Sequence, residues 1–190
     1  LFRSGKLMTY RLMAEWATDL ACKKLGVDKK CQTADICLPG SEESGEDKPK
    51  EKGLARKAAR GRHGTRSVNI AMNDNTDASL VCECEGVSVA EVNYAIEELG
   101  AKNIINLRRR TRVGMGTCQG ELCACRAAGL LSKANGCARK SIEDLASFMN
   151  ERWKGMFPVA WGDTLSEAQF TAWIYEGVCG LDAFEKNEEA

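Results

Sequence analysis

The spacing of the cysteines between residues 81 and 126 constrains this chain of 190 residues more than any other feature. Cys82 and Cys84 are one residue apart, and Cys118 and Cys123, separated by four residues, follow after 33 intervening positions. Two neighbouring thiolates reach one metal centre only where the backbone is extended or turning, so we expect Cys82-Glu83-Cys84 at a strand end or in a loop. The pattern predicts a four-thiolate site assembled from two remote loops.

Glycines surround the second cysteine pair, at Gly114, Gly116 and Gly120. Without Cβ atoms, such a loop can adopt positive φ and fold close over inorganic sulfide, with its N–H groups aimed at the sulfurs. Buried thiolates need such donors because an unpaired buried charge is very costly. We therefore interpret the four cysteines as ligands of a [2Fe–2S] cluster.

Four arginines lie just before the second pair: Arg108, Arg109, Arg110 and Arg112. One or two of them facing the cluster would stabilise its negative charge and raise its reduction potential. The alternative is a solvated helix face, to which we assign at least two of the four.

Other roles for the cysteines remain open. Structural zinc also takes four thiolates, although its short-spaced pairs are usually C-x2-4-C. A disulfide framework is disfavoured by the size of the chain and by the uneven spacing. Cys125 could replace Cys123 as a ligand. We expect the remaining cysteines to be buried and inert: Cys22, Cys31, Cys37, Cys137 and Cys179.

The stretches Val81–Glu85 and Leu107–Cys123 resemble the bacterioferritin-associated-ferredoxin-type (BFD-like) [2Fe–2S] domain, in the form found in the anaerobic glycerol-3-phosphate dehydrogenase family. Residues 5–19, Asn150–Gly155 and Ala160–Asp163 also resemble that family. The similarity covers nearly the whole chain and is weakest over 41–79.

The resemblance implies a part of a quinone-linked, FAD-dependent sn-glycerol-3-phosphate dehydrogenase. In the parent enzyme FAD takes a hydride from the substrate and gives dihydroxyacetone phosphate. The [2Fe–2S] cluster would relay electrons toward partner subunits, including a membrane-anchoring iron–sulfur subunit, and on to menaquinone. No complete G-x-G-x-x-G fingerprint is present, so we expect a C-terminal fragment that lacks the flavin-binding half and does not turn over alone.

Two other functions stay open. The four cysteines could hold zinc or a static cluster in a module that docks partner subunits, or the domain could serve an amino-acid or hydroxyproline-type flavin dehydrogenase. Lysine plus arginine balance aspartate plus glutamate at 27 each, which does not suggest nucleic-acid binding. The abundant cysteines show no pairing pattern, which suits a reducing cytoplasm. No apolar run reaches transmembrane length, so we expect a cytoplasmic protein that is peripheral on the inner membrane only through its partner subunits.

The expected fold is mainly α, with a small helical BFD-like domain preceded by the helical tail of a flavoprotein domain. We assign four parts: 1–40, the remnant of the FAD domain; 41–79, a flexible linker; 80–136, the [2Fe–2S] domain; and 137–190, a helical, tryptophan-rich extension. The linker is low in apolar residues between positions 40 and 53, although 51–60 could form a short basic helix.

Apolar spacing and capping signals place the helices. We expect an amphipathic, core-packing helix over 6–25 that stops at Gly26. In the cluster domain we expect one helix that starts with the capping box Ser88–Glu91, one over 103–111, and one from about Cys118 to Ala134. Two more should start near Ser141 and Ser166.

Three further features bear on function. By resemblance, the turn Gly5-Lys6 lies on the FAD or substrate-phosphate side, at a helix N-terminus. His63, the only histidine, has no acidic or thiol neighbour in its own segment and is expected at the surface. The tryptophans at 153, 161 and 173 are assigned to an ordinary core, with cluster cover or a subunit contact as the alternative.

Overall fold

The computed structural model describes residues 6–41, 53–70, 72 and 75–182. It separates into two compact units, Leu1–Glu42 and Glu43–Ala190. Both are built mainly from helices, and the described strands form one two-stranded antiparallel sheet, so the expected mainly α fold is confirmed. No helix within the described ranges is both long and apolar enough to cross a membrane.

The first unit contains helix α1, Tyr10–Leu25, after a 3-10 turn at Leu7–Thr9. Gly26 ends the helix with φ +68°, a conformation that glycine adopts without a Cβ clash, so the predicted stop is confirmed. The predicted core-packing role is not seen in this unit, because Leu12, Trp16 and Leu20 are all exposed. The apolar face of α1 therefore faces solvent in the described structure.

The second unit contains the remaining elements in this order: α2 (Leu54–His63), a 3-10 turn (Gly64–Asn69), α3 (Asn75–Ala78), β1 (Leu80–Cys82), β2 (Val87–Ser88), α4 (Val89–Glu97), α5 (Ile104–Thr111), α6 (Ala124–Asn135), α7 (Ala138–Met156), a 3-10 turn (Phe157–Val159), α8 (Asp163–Trp173) and a π-helical turn (Ile174–Val178).

Helices α4 to α7 pack around one hydrophobic core with the short sheet. Its fully buried members include Val81 and Val87 of the sheet, Leu107 of α5, Leu131 of α6 and Phe148 of α7. Tyr175, from the π-helical turn, belongs to the same core. The C-terminal extension therefore packs onto the domain that carries the four cysteines.

The prediction of a flexible linker over 41–79 is wrong for part of this range. Helix α2 buries Ala55 and Ala59, four residues apart, and with Ile70 and Met72 they form a second cluster against Ala90 of α4. Because alanine is small, α2 can lie close to α4. The contact buries only a small apolar surface. Residues 42–52 of the predicted linker lie outside the described residues.

The predicted starts of three helices are also wrong. Helix α6 begins at Ala124 instead of near Cys118, because residues 116–123 form tight turns with hydrogen bonds such as the one that the Glu121 N–H donates to Cys118 O. Helix α7 begins at Ala138, so Ser141 is buried inside it and does not cap it. Helix α8 begins at Asp163, three residues before the predicted start.

Candidate iron–sulfur site

The first cysteine loop leaves the sheet where strand β1 ends. Cys82 is the last residue of β1 and is buried, and residues 83–86 turn back toward β2. Cys84 lies in that turn and is exposed. The prediction of a strand end or loop at this pair is confirmed, and the end of the strand at Cys82 explains the different exposure of the two thiols.

The second loop connects α5 to α6 and carries the other two cysteines. Cys118 is half-buried, and Cys123, the residue that precedes α6, is buried. The N–H of Cys123 donates to Gly120 O at 3.2 Å, which folds the loop into consecutive tight turns. The predicted placement of both cysteines in the first turns of a helix is therefore wrong for Cys118, and Cys123 lies only at the helix boundary.

The fold brings the two loops together, with an exposed and a buried pair of sulfurs. The Cys84 and Cys118 sulfurs are 3.7 Å apart. In the interior, Cys82 and Cys123 are both buried in the same core, and both Cys82 and Cys118 are close enough to Cys123 to raise the pKa of its thiol. Within the described ranges, no group of three or more histidine, cysteine, aspartate or glutamate side chains is arranged to hold a metal ion. In the structure Cys84 and Cys118 form one close pair, while Cys82 and Cys123 lie in the hydrophobic core, and the assignment of the four as ligands stays a prediction.

The surroundings of the sulfurs differ between the two pairs. The backbone N–H of Cys118, followed by the Thr117 hydroxyl, lowers the pKa of the Cys84 thiol below its ordinary value. Burial, followed by the neighbouring Cys82 side chain, raises the pKa of Cys123 to about 12, against a lowering by the Gly114 N–H. Backbone donors thus point at sulfur from two parts of the second loop.

Two glycines leave the space that the loops need. A Cβ on Gly116 would lie 2.2 Å from the Cβ of Cys84. A Cβ on Gly120, where φ is +99°, would lie 2.7 Å from the Phe148 ring. Because both glycines lack a side chain, the second loop can lie against the first loop and against α7. The close approach of the two loops fits a cluster that is held near the backbone.

Three arginines fasten the first loop. Arg112 forms an ion pair with Glu85 (Nε to Oε2, 2.7 Å), and Arg126 forms one with Glu83 (Nη1 to Oε1, 2.5 Å). Each pair joins a carboxylate beside Cys84 to the second loop or to α6. A hydrogen bond from the guanidinium of its partner is the largest cause of the lowered pKa of Glu83 and of Glu85.

Arg62 of α2 is the third arginine, and sequence reasoning missed it. Its guanidinium donates to the backbone carbonyls of Glu85 (2.8 Å) and Gly86 (3.3 Å), next to Cys84, and to both carboxylate oxygens of Glu91. Glu91 is fully buried. A Cβ on Gly86 would meet Leu54 at 3.1 Å, so α2 also packs directly on this turn. The helix before the cysteine motif therefore supports the first loop.

The expectation of a surface His63 is wrong. Its side chain is 8% exposed, and its Nε2 lies 2.8 Å from Oε1 of Glu91. The acidic partner comes from α4 and could not be seen in the histidine's own segment. The predicted cap is confirmed in part: Ser88 Oγ accepts from the Glu91 N–H at 3.2 Å, while the Glu91 carboxylate pairs with Arg62 and His63.

The four arginines before the second pair serve different purposes. Arg108 donates to the Gln119 side chain at 3.3 Å and lies over the Phe148 ring, while Arg112 binds Glu85. Arg110 bonds to the carbonyl of Leu99, and Arg109 is exposed. Two of the four thus contact the cysteine loops or their neighbours.

The remaining cysteines correct several expectations. Cys125 forms a disulfide with Cys179, so its sulfur points toward the C-terminal extension, and the expectation that Cys179 is inert is wrong. The two residues are 54 positions apart but meet where the π-helical turn packs beside α6. Cys31, Cys37 and Cys137 are exposed, in contrast to the predicted burial, and Cys22 is half-buried. Cys31 and Cys37 lie in the first unit, which has no buried residue among those described, and Cys137 lies in the turn between α6 and α7.

The tryptophans of the extension also depart from expectation. Trp161 is 76% and Trp173 is 66% exposed, and Trp153 is 43% exposed, so they do not line an ordinary core. On the flavin side, Lys6 is exposed before the turn at Leu7–Thr9, and Gly5 lies outside the described residues. The flavin-side role of Gly5-Lys6 stays a prediction.

Residues 80–133 match the family of BFD-like [2Fe-2S] binding domains. Over 188 residues, 96% of the chain, the sequence is 54% identical to a subunit of anaerobic glycerol-3-phosphate dehydrogenase from Escherichia coli K12 and covers 35% of that protein. It is 50% identical over 97% of the chain to the identically named protein from Haemophilus influenzae, of which it covers 34%.

A more distant relative is similar to this chain over a shorter stretch and at a lower identity. The hydrogen cyanide synthase subunit HcnB of Pseudomonas aeruginosa is 37% identical over 73 residues, which are 38% of this chain and 15% of that protein. No solved structure matches the chain. The chain spans about a third of the length of the curated dehydrogenase subunits it matches. It is thus similar along nearly its whole length to part of an anaerobic glycerol-3-phosphate dehydrogenase subunit, and its residues 80–133 match the family of BFD-like [2Fe–2S] binding domains.

Proposed function

We propose that this chain is the cluster-bearing part of a quinone-linked, FAD-dependent sn-glycerol-3-phosphate dehydrogenase. Its [2Fe–2S] cluster would pass single electrons from FAD toward partner subunits and menaquinone. The observation that carries the proposal is the meeting of two remote cysteine loops inside the matched domain, with the Cys84 and Cys118 sulfurs 3.7 Å apart. The similarity to the dehydrogenase subunits supports the choice of reaction.

We assign Cys82, Cys84, Cys118 and Cys123 as the ligands. When bound, the cluster supplies a one-electron carrier, which a flavin that accepts two electrons needs in order to feed single-electron acceptors. Cys82 and Cys123 lie in the hydrophobic core and keep water from one side of the site. Cys84 is exposed, so the opposite side is accessible to a redox partner.

The first unit fits the flavoprotein side of this proposal. The exposed apolar residues Leu12, Trp16 and Leu20 of α1 would pack against the flavin-binding part of a longer protein. We propose the turn at Gly5-Lys6 as the part of the unit nearest the FAD or the substrate phosphate. The chain alone is then expected to be redox-active without oxidising sn-glycerol 3-phosphate.

Anaerobic purification followed by metal analysis and absorbance and EPR spectroscopy tests the proposal. The proposed function predicts two irons and two sulfides per chain, visible charge-transfer bands, and a paramagnetic signal on reduction with dithionite. A colourless chain that holds one zinc would refute the relay and leave the docking module. In the full-length protein, sn-glycerol 3-phosphate should generate the same EPR signal, and an amino acid should not.

A docking role receives separate support from the C-terminal extension. Trp161 and Trp173 are exposed, and tryptophan is enriched where protein–protein contacts are strongest. We propose that this extension contacts another subunit of the dehydrogenase, the membrane-anchoring iron–sulfur subunit being the expected partner. Loss of partner binding in Trp161→Ala with an unchanged melting curve would support the contact, and retained binding would refute it.

A further inference from the structure

Tyr175 presents a buried hydroxyl for which the described residues provide no hydrogen-bond partner. The side chain is fully buried, and its Oη is unsatisfied. It belongs to the π-helical turn of the C-terminal extension, outside the matched domain. Leaving a buried hydroxyl unpaired is costly, so an unpaired one calls for an explanation.

The Tyr175 hydroxyl lies against the second cysteine loop. A Cβ placed on Gly120 would be 3.3 Å from Tyr175 Oη, and Gly120 stands between Cys118 and Cys123. The hydroxyl therefore lies beside the backbone of the loop that carries both of these cysteines.

Arg152 of α7 explains why the proton of this hydroxyl remains available. Its Nη1 has no partner of good hydrogen-bond geometry within the described part of the chain, yet the guanidinium is close enough to act on the phenol, first as a hydrogen-bond donor and then through its charge. A guanidinium can only donate, so any hydrogen bond between the two uses the phenol oxygen as acceptor. The phenol O–H then needs an acceptor elsewhere, and donation from the arginine would make it a stronger donor.

We propose that the Tyr175 hydroxyl donates a hydrogen bond to a sulfur at the Cys118–Cys123 edge of the [2Fe–2S] cluster and thereby raises its reduction potential. The inference rests on the proposed cluster. A donor to sulfur stabilises the reduced state more than the oxidised one, because reduction adds negative charge. The extension would thus be a tuning element for a cluster whose ligands all come from the matched domain.

The test compares Tyr175→Phe in the full chain with the control Tyr94→Phe. Tyr94 packs beside the second, smaller core cluster. Tyr175→Phe should retain two irons per chain, melt at the same or a slightly higher temperature, and shift the midpoint potential to a more negative value. Pulsed EPR in deuterated water should lose one strongly coupled exchangeable deuteron. Tyr94→Phe should match the wild type in both measurements.

A complementary variant keeps the ring and the hydroxyl. Fluorotyrosine at position 175 is a stronger donor and should shift the potential in the positive direction, which keeps the test decisive if the phenylalanine variant does not fold. Unchanged potential and deuteron coupling in an iron-loaded variant would overturn the inference while leaving the proposed function intact. A wild-type chain without a reducible cluster would instead overturn the proposed function.

Discussion

Replacement of Gly116 by alanine should prevent the cluster from assembling. In the folded chain the new Cβ would lie 2.2 Å from the Cβ of Cys84 and 3.3 Å from its sulfur. Ordinary carbon contacts begin near 3.4 Å, so the two loops must separate by at least 1.2 Å, the difference between these two distances. Metal–ligand distances tolerate only about 0.2 Å, so this displacement is several times too large.

The steric effect of this substitution can be isolated from a backbone effect. Gly116 does not have a positive φ, so alanine is compatible with its backbone conformation. We expect the overpacking to cost about 1–3 kcal/mol of folding free energy, which leaves a chain that folds but binds little iron. Gly129→Ala is the matched control, because Gly129 lies inside α6 with no atom within 4 Å of the new Cβ.

The assay measures iron and sulfide per chain after anaerobic reconstitution, together with urea denaturation of the iron-free chain. Gly116→Ala should lose most of the iron and sulfide, with the charge-transfer absorbance. Gly129→Ala should bind iron normally and gain up to about 1 kcal/mol of stability, since alanine favours a helix interior. A Gly116→Ala chain with wild-type iron content and an unchanged spectrum would refute the proposed approach of the two loops.

Two further comparisons, each between a pair of variants, test the surroundings of the site. Arg62→Met should lower the free energy of unfolding by about 3 kcal/mol and weaken cluster retention, because it leaves the buried Glu91 carboxylate without its guanidinium. Lys57→Met removes an exposed charge from the same helix and should change stability by less than about 0.5 kcal/mol, so equal effects in urea denaturation would contradict this account. Cys125→Ser should keep two irons per chain, whereas Cys123→Ser should lose them. The reverse result would show that Cys125, and not Cys123, is the fourth ligand.

The sequence predicted the backbone around the candidate site well where the signal was local. The one-residue spacing of Cys82 and Cys84 requires a turn or a strand end, and this is where the pair lies. Gly26 and the cap at Ser88 marked a helix end and a helix start because both act on the adjacent backbone. The true start of the helix after Cys123 was missed, because a glycine-containing loop with consecutive tight turns has no distinct periodic pattern.

Contacts between distant segments could not be predicted. Glu91 carried a capping-box signature that already explained its presence, so nothing indicated that its carboxylate binds Arg62 and His63 from a segment assigned to the linker. Tyr175 carried no signal at all, since its position against Gly120 depends on how the extension folds back. These residues take their roles from tertiary packing. A single sequence does not reveal such contacts between residues that are far apart along the chain.

The central claim is that two remote loops hold one [2Fe–2S] cluster in each chain. The most direct test is quantitative EPR of the anaerobically reconstituted chain after reduction, with iron counted in the same sample. The account predicts an S = 1/2 signal that integrates to about one spin for every two irons. An iron-loaded chain that remains EPR-silent on full reduction, or one whose spin survives when Cys82 and Cys118 are both replaced by serine, would contradict it.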